Sequence, residues 1–209
     1  MVQVAGRIRV LQGCRPDNLP VDELLESGQP AVLKGLISEW GLVRAGRRSE
    51  AEALNYLRSF YNGKPVQYSY GEPQIAGRPF YTEDFTQLNC VVRRDRLDDV
   101  LNQIESHLDD AQTPTYYVAS LLIDSCLPGL RAENDLAFAV HGIDAPPTIW
   151  IGTRTIASCH YDAPNNIACC AVGRRRFTLF PPEQIFNLYP GPLEPTPGGR
   201  ADNVVGFRK

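Results

Sequence analysis

The sequence predicts a mixed α/β front portion followed by the start of an all-β, barrel-like or sandwich-like portion. Two amphipathic helical patterns lie in the first 110 residues, at 49–61 and 96–108. From Pro146 the texture changes to short β-rich runs at 148–152, 156–162, 167–172 and 176–180, separated by Gly, Pro, Asn or charged residues. Regular spacing of that kind is typical of an antiparallel sandwich or barrel.

In chain order, 21–27 (VDELLES) reads as a short helix with its acidic residues early, where the helix dipole favours them. Residues 30–33 (PAVL) form a short apolar strand candidate, and GLISEWGLV follows as a turn into Trp40. In the helix at 49–61, Ser49 can cap the first turn, and Ala53, Leu54, Leu57 and Phe60 recur at helical spacing. Asn62-Gly63 stops it. Residues 65–70 (PVQYSY) alternate like a strand. The helix at 96–108 carries Leu97, Val100, Leu101, Ile104 and Leu108 on one stripe. The pattern at 116–123 (YYVASLLI) fits strand or helix. We read one domain over 1–209, with an α/β portion at 1–145 and the first half of a barrel at 146–209.

A net charge of −3, with 43% hydrophobic and 22% charged residues, gives no general pull toward nucleic acid or anionic lipid. No stretch approaches the roughly 18 apolar residues of a membrane span. The N-terminus lacks the apolar core of a signal peptide. The six cysteines show no CxxC spacing, so we expect reduced thiols in a cytoplasmic protein. Trp40 and Trp150 read as core, as do Cys159, Cys169 and Cys170. His107 reads as a helix C-terminal or surface residue, and His141 as a loop residue without a metal-like partner.

The stretch HYDAPNNIACCAVGRRRFTLFPP carries the chemistry. On a strand, His160 and Asp162 share a face, about 7 Å apart at a rise of roughly 3.4 Å per residue. An imidazole and a carboxylate so placed can converge on one cation. With a second, distant histidine they make the facial triad of non-haem Fe(II) oxygenases. Taken alone, the triplet is a weak signal, and the more frequent reading is a surface turn in which Asp162 bonds the backbone ahead of Pro164.

Several motifs stand here in one order: QPAVLKGLISEW near the front, Tyr116-Tyr117, IWIG, HYDAPNN, and GRRRFTLFPP. Together they resemble the cupin-like, JmjC-type oxygenase family, over essentially the whole chain from about Val21. The resemblance is closest to bacterial cupin-like proteins. The asparaginyl hydroxylase that inhibits a hypoxia factor is a better-understood relative. It implies a double-stranded β-helix (cupin-type jelly roll), incomplete in this chain, and hydroxylation of a C–H bond with release of succinate and carbon dioxide. Fe(II) would be the metal and 2-oxoglutarate the co-substrate. His160 and Asp162 match the metal ligands. Asn166 and Tyr117 match polar contacts to 2-oxoglutarate. Arg175 stands where relatives place a lysine for the distal carboxylate. Arginine can answer a carboxylate with two parallel hydrogen bonds, with Arg174 and Arg176 pointing away. The competing reading is three arginines on an exposed edge. Ala157 stands where relatives often carry a threonine.

The family's second iron histidine comes on a later strand, yet none of the 47 residues after Asp162 is a histidine. We therefore expect a fragment or truncation that is not competent alone, or a ligand borrowed from a partner chain. A homodimer is one arrangement of the full-length protein. Substrates among relatives are protein side chains or nucleosides, and the sequence does not choose between them. The alternative is a non-catalytic cupin-like binding module.

Overall fold

The computed structural model describes residues 6–138, 142, 143, 145–162 and 164–191. The expectation for His141 lies outside the described residues.

Two layers organise the chain. A parallel pair joins β1 (Arg9–Gln12) and β2 (Ala31–Lys34), with Arg9 opposite Ala31 and Gln12 opposite Lys34. The crossover holds α1 (Val21–Ser27), which ends on Gly28 in the left-handed region at φ 58°. Next come α2 (Gly41–Arg48) and α3 (Glu50–Arg58), which share one residue at their junction. Ser49 ends α2, and its hydroxyl accepts from the Glu52 backbone N–H at 3.0 Å to start α3.

The second layer is a four-stranded antiparallel sheet in the order β4-β3-β5-β6. Its strands are β3 (Val66–Gly71), β4 (Val91–Asp95), β5 (Thr115–Leu122) and β6 (Thr148–Gly152). Strand alternation gives it two unlike faces. Val66, Tyr68, Tyr116, Val118 and Ile151 are buried against α4 (Leu97–Ser106), whose Leu97, Val100, Leu101 and Ile104 form the predicted stripe. Leu54 and Leu57 of α3 close the same core. Gln67, Ser69 and Tyr117 point to the other face, as do Trp150 and Gly152. A bulge at Ser120 (φ 50°) slips the β5–β6 register between Val118 and Leu121, and the chain then turns into α5 (Ile123–Cys126). The ambiguous segment is thus strand first and helix after. A smaller core gathers Leu19, Leu36 and Leu136, with Trp40 and Cys169 packed against it.

The ordinary packing of the front portion holds a buried polar knot. Asn134 accepts from the Leu42 backbone N–H at 2.9 Å and donates to the Leu130 carbonyl and the Tyr56 hydroxyl. It thereby satisfies a donor of the first turn of α2, which would otherwise be orphaned.

Beyond β6 the structure corrects the expectation. The runs at 156–162, 167–172 and 176–180 form no strands. A strand needs a neighbour to take up its backbone donors and acceptors, and among the described residues these runs form no ladder with one another or with β6. Trp150 is 45% exposed and is therefore no core residue. It lies on the sheet face opposite α3 and α4.

Candidate functional site

The site segment leaves β6 under close control. Thr153 donates its N–H to the Tyr116 carbonyl at 3.0 Å, and its hydroxyl takes the Tyr116 N–H at 3.2 Å while donating to the Pro114 carbonyl. Three residues on, the Ile156 N–H donates to the Gly77 carbonyl at 2.7 Å. Gly77 sits at φ 73°, and a Cβ there would run into the Arg154 carbonyl, so this contact needs glycine. Further along, Cys169 packs on the smaller core. Val172 lies close over α2, its Cγ2 2.9 Å from where a Cβ on Gly46 would stand. The stretch at 157–168 is therefore tethered at both ends, and its polar residues lie on the surface between.

Within it, His160 donates Nδ1–H to the Ser158 carbonyl at 2.7 Å. That bond fixes the tautomer and leaves Nε2 as the lone-pair nitrogen, the arrangement metal-binding histidines use. Asp162 accepts from the Asn166 side-chain amide at 2.9 Å. His160, Asp162 and Asn166 are all exposed. The structure thus joins Asp162 to Asn166 directly.

Arg175 and Tyr117 stand apart from that group. The Arg175 guanidinium carbon lies 5.4 Å from the centre of the Phe177 ring. Arg174, Arg175 and Arg176 are all exposed, so the expected alternation of one inward and two outward arginines is absent. Its physical basis, a paired strand, is absent as well. Tyr117 lies on the open face of the sheet, opposite Ser69 on β3 and Gly152 on β6.

The donors suit a hard-to-borderline metal in kind, one imidazole and one carboxylate. They are two of the three a facial triad needs. Among the described residues no group of three or more His, Cys, Asp or Glu side chains is placed to hold a metal. His107 is not a candidate: it caps α4, with Nδ1 2.6 Å from Asp110 and its ring stacked on Tyr116. Cys169 is not one either, since burial among apolar groups, with Cys170 close by, pushes its thiol up to about 11.

Sequence reasoning missed the residues that hold the segment. Thr153 carries no signal of its own. Gly77 had one, since it closes the turn-rich run PQIAG.

The family model described as a cupin-like domain matches residues 16–207. The chain belongs to the cupin-like domain family. It is similar to JmjC domain-containing protein D of Dictyostelium discoideum, 25% identical over 186 residues, a match covering 81% of this chain and 38% of that protein. It is also similar to Jumonji C domain-containing protein 5 of Drosophila melanogaster, 24% identical over 172 residues, covering 79% of this chain and 39% of that protein. The chain thus spans well under half the length of these relatives. Among the described residues no helix is long and apolar enough to cross a membrane.

Proposed function

We propose that this cupin-like chain contributes the first part of an Fe(II)- and 2-oxoglutarate-dependent oxygenase site. His160 and Asp162 would hold the metal, and Tyr117, Asn166 and Arg175 would hold the co-substrate. The observation that carries this reading is the His160–Ser158 bond, which occupies Nδ1 and leaves Nε2 for a metal two residues before a carboxylate that accepts from Asn166. When bound, Fe(II) would supply dioxygen activation coupled to decarboxylation of 2-oxoglutarate.

The chain's own residues have separable tasks. Asn166 restrains the Asp162 carboxylate, which reduces the freedom that ligand must lose on binding a cation. Tyr117 offers a hydroxyl donor from a rigid strand. Arg175, now over Phe177, offers a fixed fork of donors for the far carboxylate of a dicarboxylate. The third metal ligand would come from outside these 209 residues, whose histidines are only 107, 141 and 160. On this proposal the fold is a double-stranded β-helix, with the open face of the sheet turned toward the site.

A non-catalytic binding module is the second reading. The donor count favours it, since two metal-capable side chains without a third bind weakly and support no redox cycle. Succinate release from 2-oxoglutarate, in the chain supplied with Fe(II) and dioxygen, separates the two. Turnover in a folded sample supports the oxygenase, and its absence leaves the module. Where turnover or binding is measurable, Arg175→Ala should raise the 2-oxoglutarate requirement by about 10–100-fold, the loss expected for a charge-assisted pair. An unchanged requirement would remove Arg175 from the co-substrate site.

A further inference from the structure

Gly152 ends β6 directly opposite Tyr117 in the antiparallel register. A Cβ at Gly152 would stand 2.5 Å from the Tyr116 carbonyl oxygen and 3.1 Å from Cδ2 of Tyr117. Its φ is not in the left-handed region, so the backbone conformation alone does not call for glycine. What does call for it is space. The Tyr117 ring leans over β6 into the volume a side chain would fill. A strand glycine with an aromatic ring laid across it is a recurring device for fixing that ring.

We infer that Gly152 is a positioning residue: by leaving out a side chain it lets the Tyr117 ring lie across β6, and so sets the direction of the Tyr117 hydroxyl on the open face. On its other side Tyr117 pairs with Ser69, which is small, and among the described residues no hydrogen bond restrains the hydroxyl. Thr153, next in chain, locks the backbone of Tyr116 from both sides, so the strand beneath the ring is rigid while the ring depends on the gap. The inference rests on the proposed role of Tyr117 as a co-substrate contact, and it adds the residue that aims it.

Two contacts compete to explain why glycine is needed here, the carbonyl of Tyr116 and the ring of Tyr117, and the experiment must separate them. Label the chain with 3-fluorotyrosine and assign the Tyr117 fluorine resonance by its loss in Tyr117→Phe. Gly152→Ala should move that resonance while those of Tyr61 and Tyr68 hold. In parallel, measure 2-oxoglutarate affinity in the presence of Mn(II) for wild type, Gly152→Ala, Tyr117→Ala and the double variant, with thermal unfolding of each as a control. Gly152→Ala should weaken binding by about tenfold in the wild-type background and by less than about twofold once Tyr117 is alanine, because coupled neighbours are not additive. Equal losses in both backgrounds, or an unmoved Tyr117 resonance, would assign Gly152 to the backbone alone and overturn the inference. If Tyr117→Ala leaves affinity unchanged, the co-substrate role of Tyr117 fails first and the purpose assigned to Gly152 fails with it. Should Gly152→Ala not fold, the stability of the double variant decides. Recovery of folding on removing the ring supports the inference, and failure in both points to the Tyr116 carbonyl and overturns it.

Discussion

The residues from Val66 to Gly152 and those from Thr153 to Gly191 have similar apolar patterning but opposite fates. In the first region each strand has a neighbour, and one sheet face is sealed by α3 and α4. In the second, strand-like alternation leads to no strand, and Tyr161, Phe177, Leu179, Phe186 and Tyr189 are more than half exposed. The difference is not hydrophobicity. A ladder needs a second strand, and among the described residues the second region forms none; its contacts with the front portion include those of Thr153, Ile156, Cys169 and Val172. The proposed ligands lie in this region, held by tethers at Gly77, Cys169 and Val172 rather than by a ladder.

The contrast can be broken or sharpened by measurement. Amide hydrogen exchange should show the largest effect. Backbone amides in β3 and β5 should exchange at least about a thousandfold more slowly than those in 164–180, because the former open only with the core. Similar protection in both regions would mean that the second region finds partners in solution. Paired truncations come next. Leu101→Ala removes a fully buried side chain between α4 and the sheet and should cost about 3 kcal/mol in urea unfolding. Phe186→Ala, at an 88% exposed position, should stay within about 0.5 kcal/mol. The smallest effect lies at the vicinal cysteines. At pH 8, iodoacetamide should label exposed Cys170 before Cys169, whose thiol is half-buried and pushed up to about 11 from an ordinary 9.0. Because that raised value favours the protonated form in the fold, its contribution to stability is present below about pH 9 and fades as pH rises toward about 11.

Much of the first region was legible in the sequence. The stripes of α3 and α4, the bounds of α1, and β3 followed from periodicity and caps. Three elements were missed for physical reasons. α2 contains Gly41 and Gly46, which argue against a helix. Yet Gly41 is needed against Tyr56 and Glu133, and Gly46 against Val172, so packing outweighs propensity. β4 is an edge strand with every residue exposed, so it shows no buried alternation. β1 is four residues long and half exposed. In the second region the error ran the other way. A period of two tells which side chains share a face but not whether a partner strand exists. The Asp162–Asn166 contact was not read from the sequence, in which Asn166 stood only as a co-substrate contact. Nor could the tautomer of His160 be read there, because it depends on a carbonyl two residues away.

The account stands or falls on whether the outward Nε2 of His160 and the carboxylate of Asp162 grip a divalent cation together. Titration of the chain with Mn(II), followed by electron paramagnetic resonance, tests this directly. The account predicts saturable binding that weakens by more than about tenfold in both His160→Ala and Asp162→Ala, with unchanged circular dichroism, since each variant removes one of two ligands. Mn(II) affinity identical in wild type and both variants would contradict it.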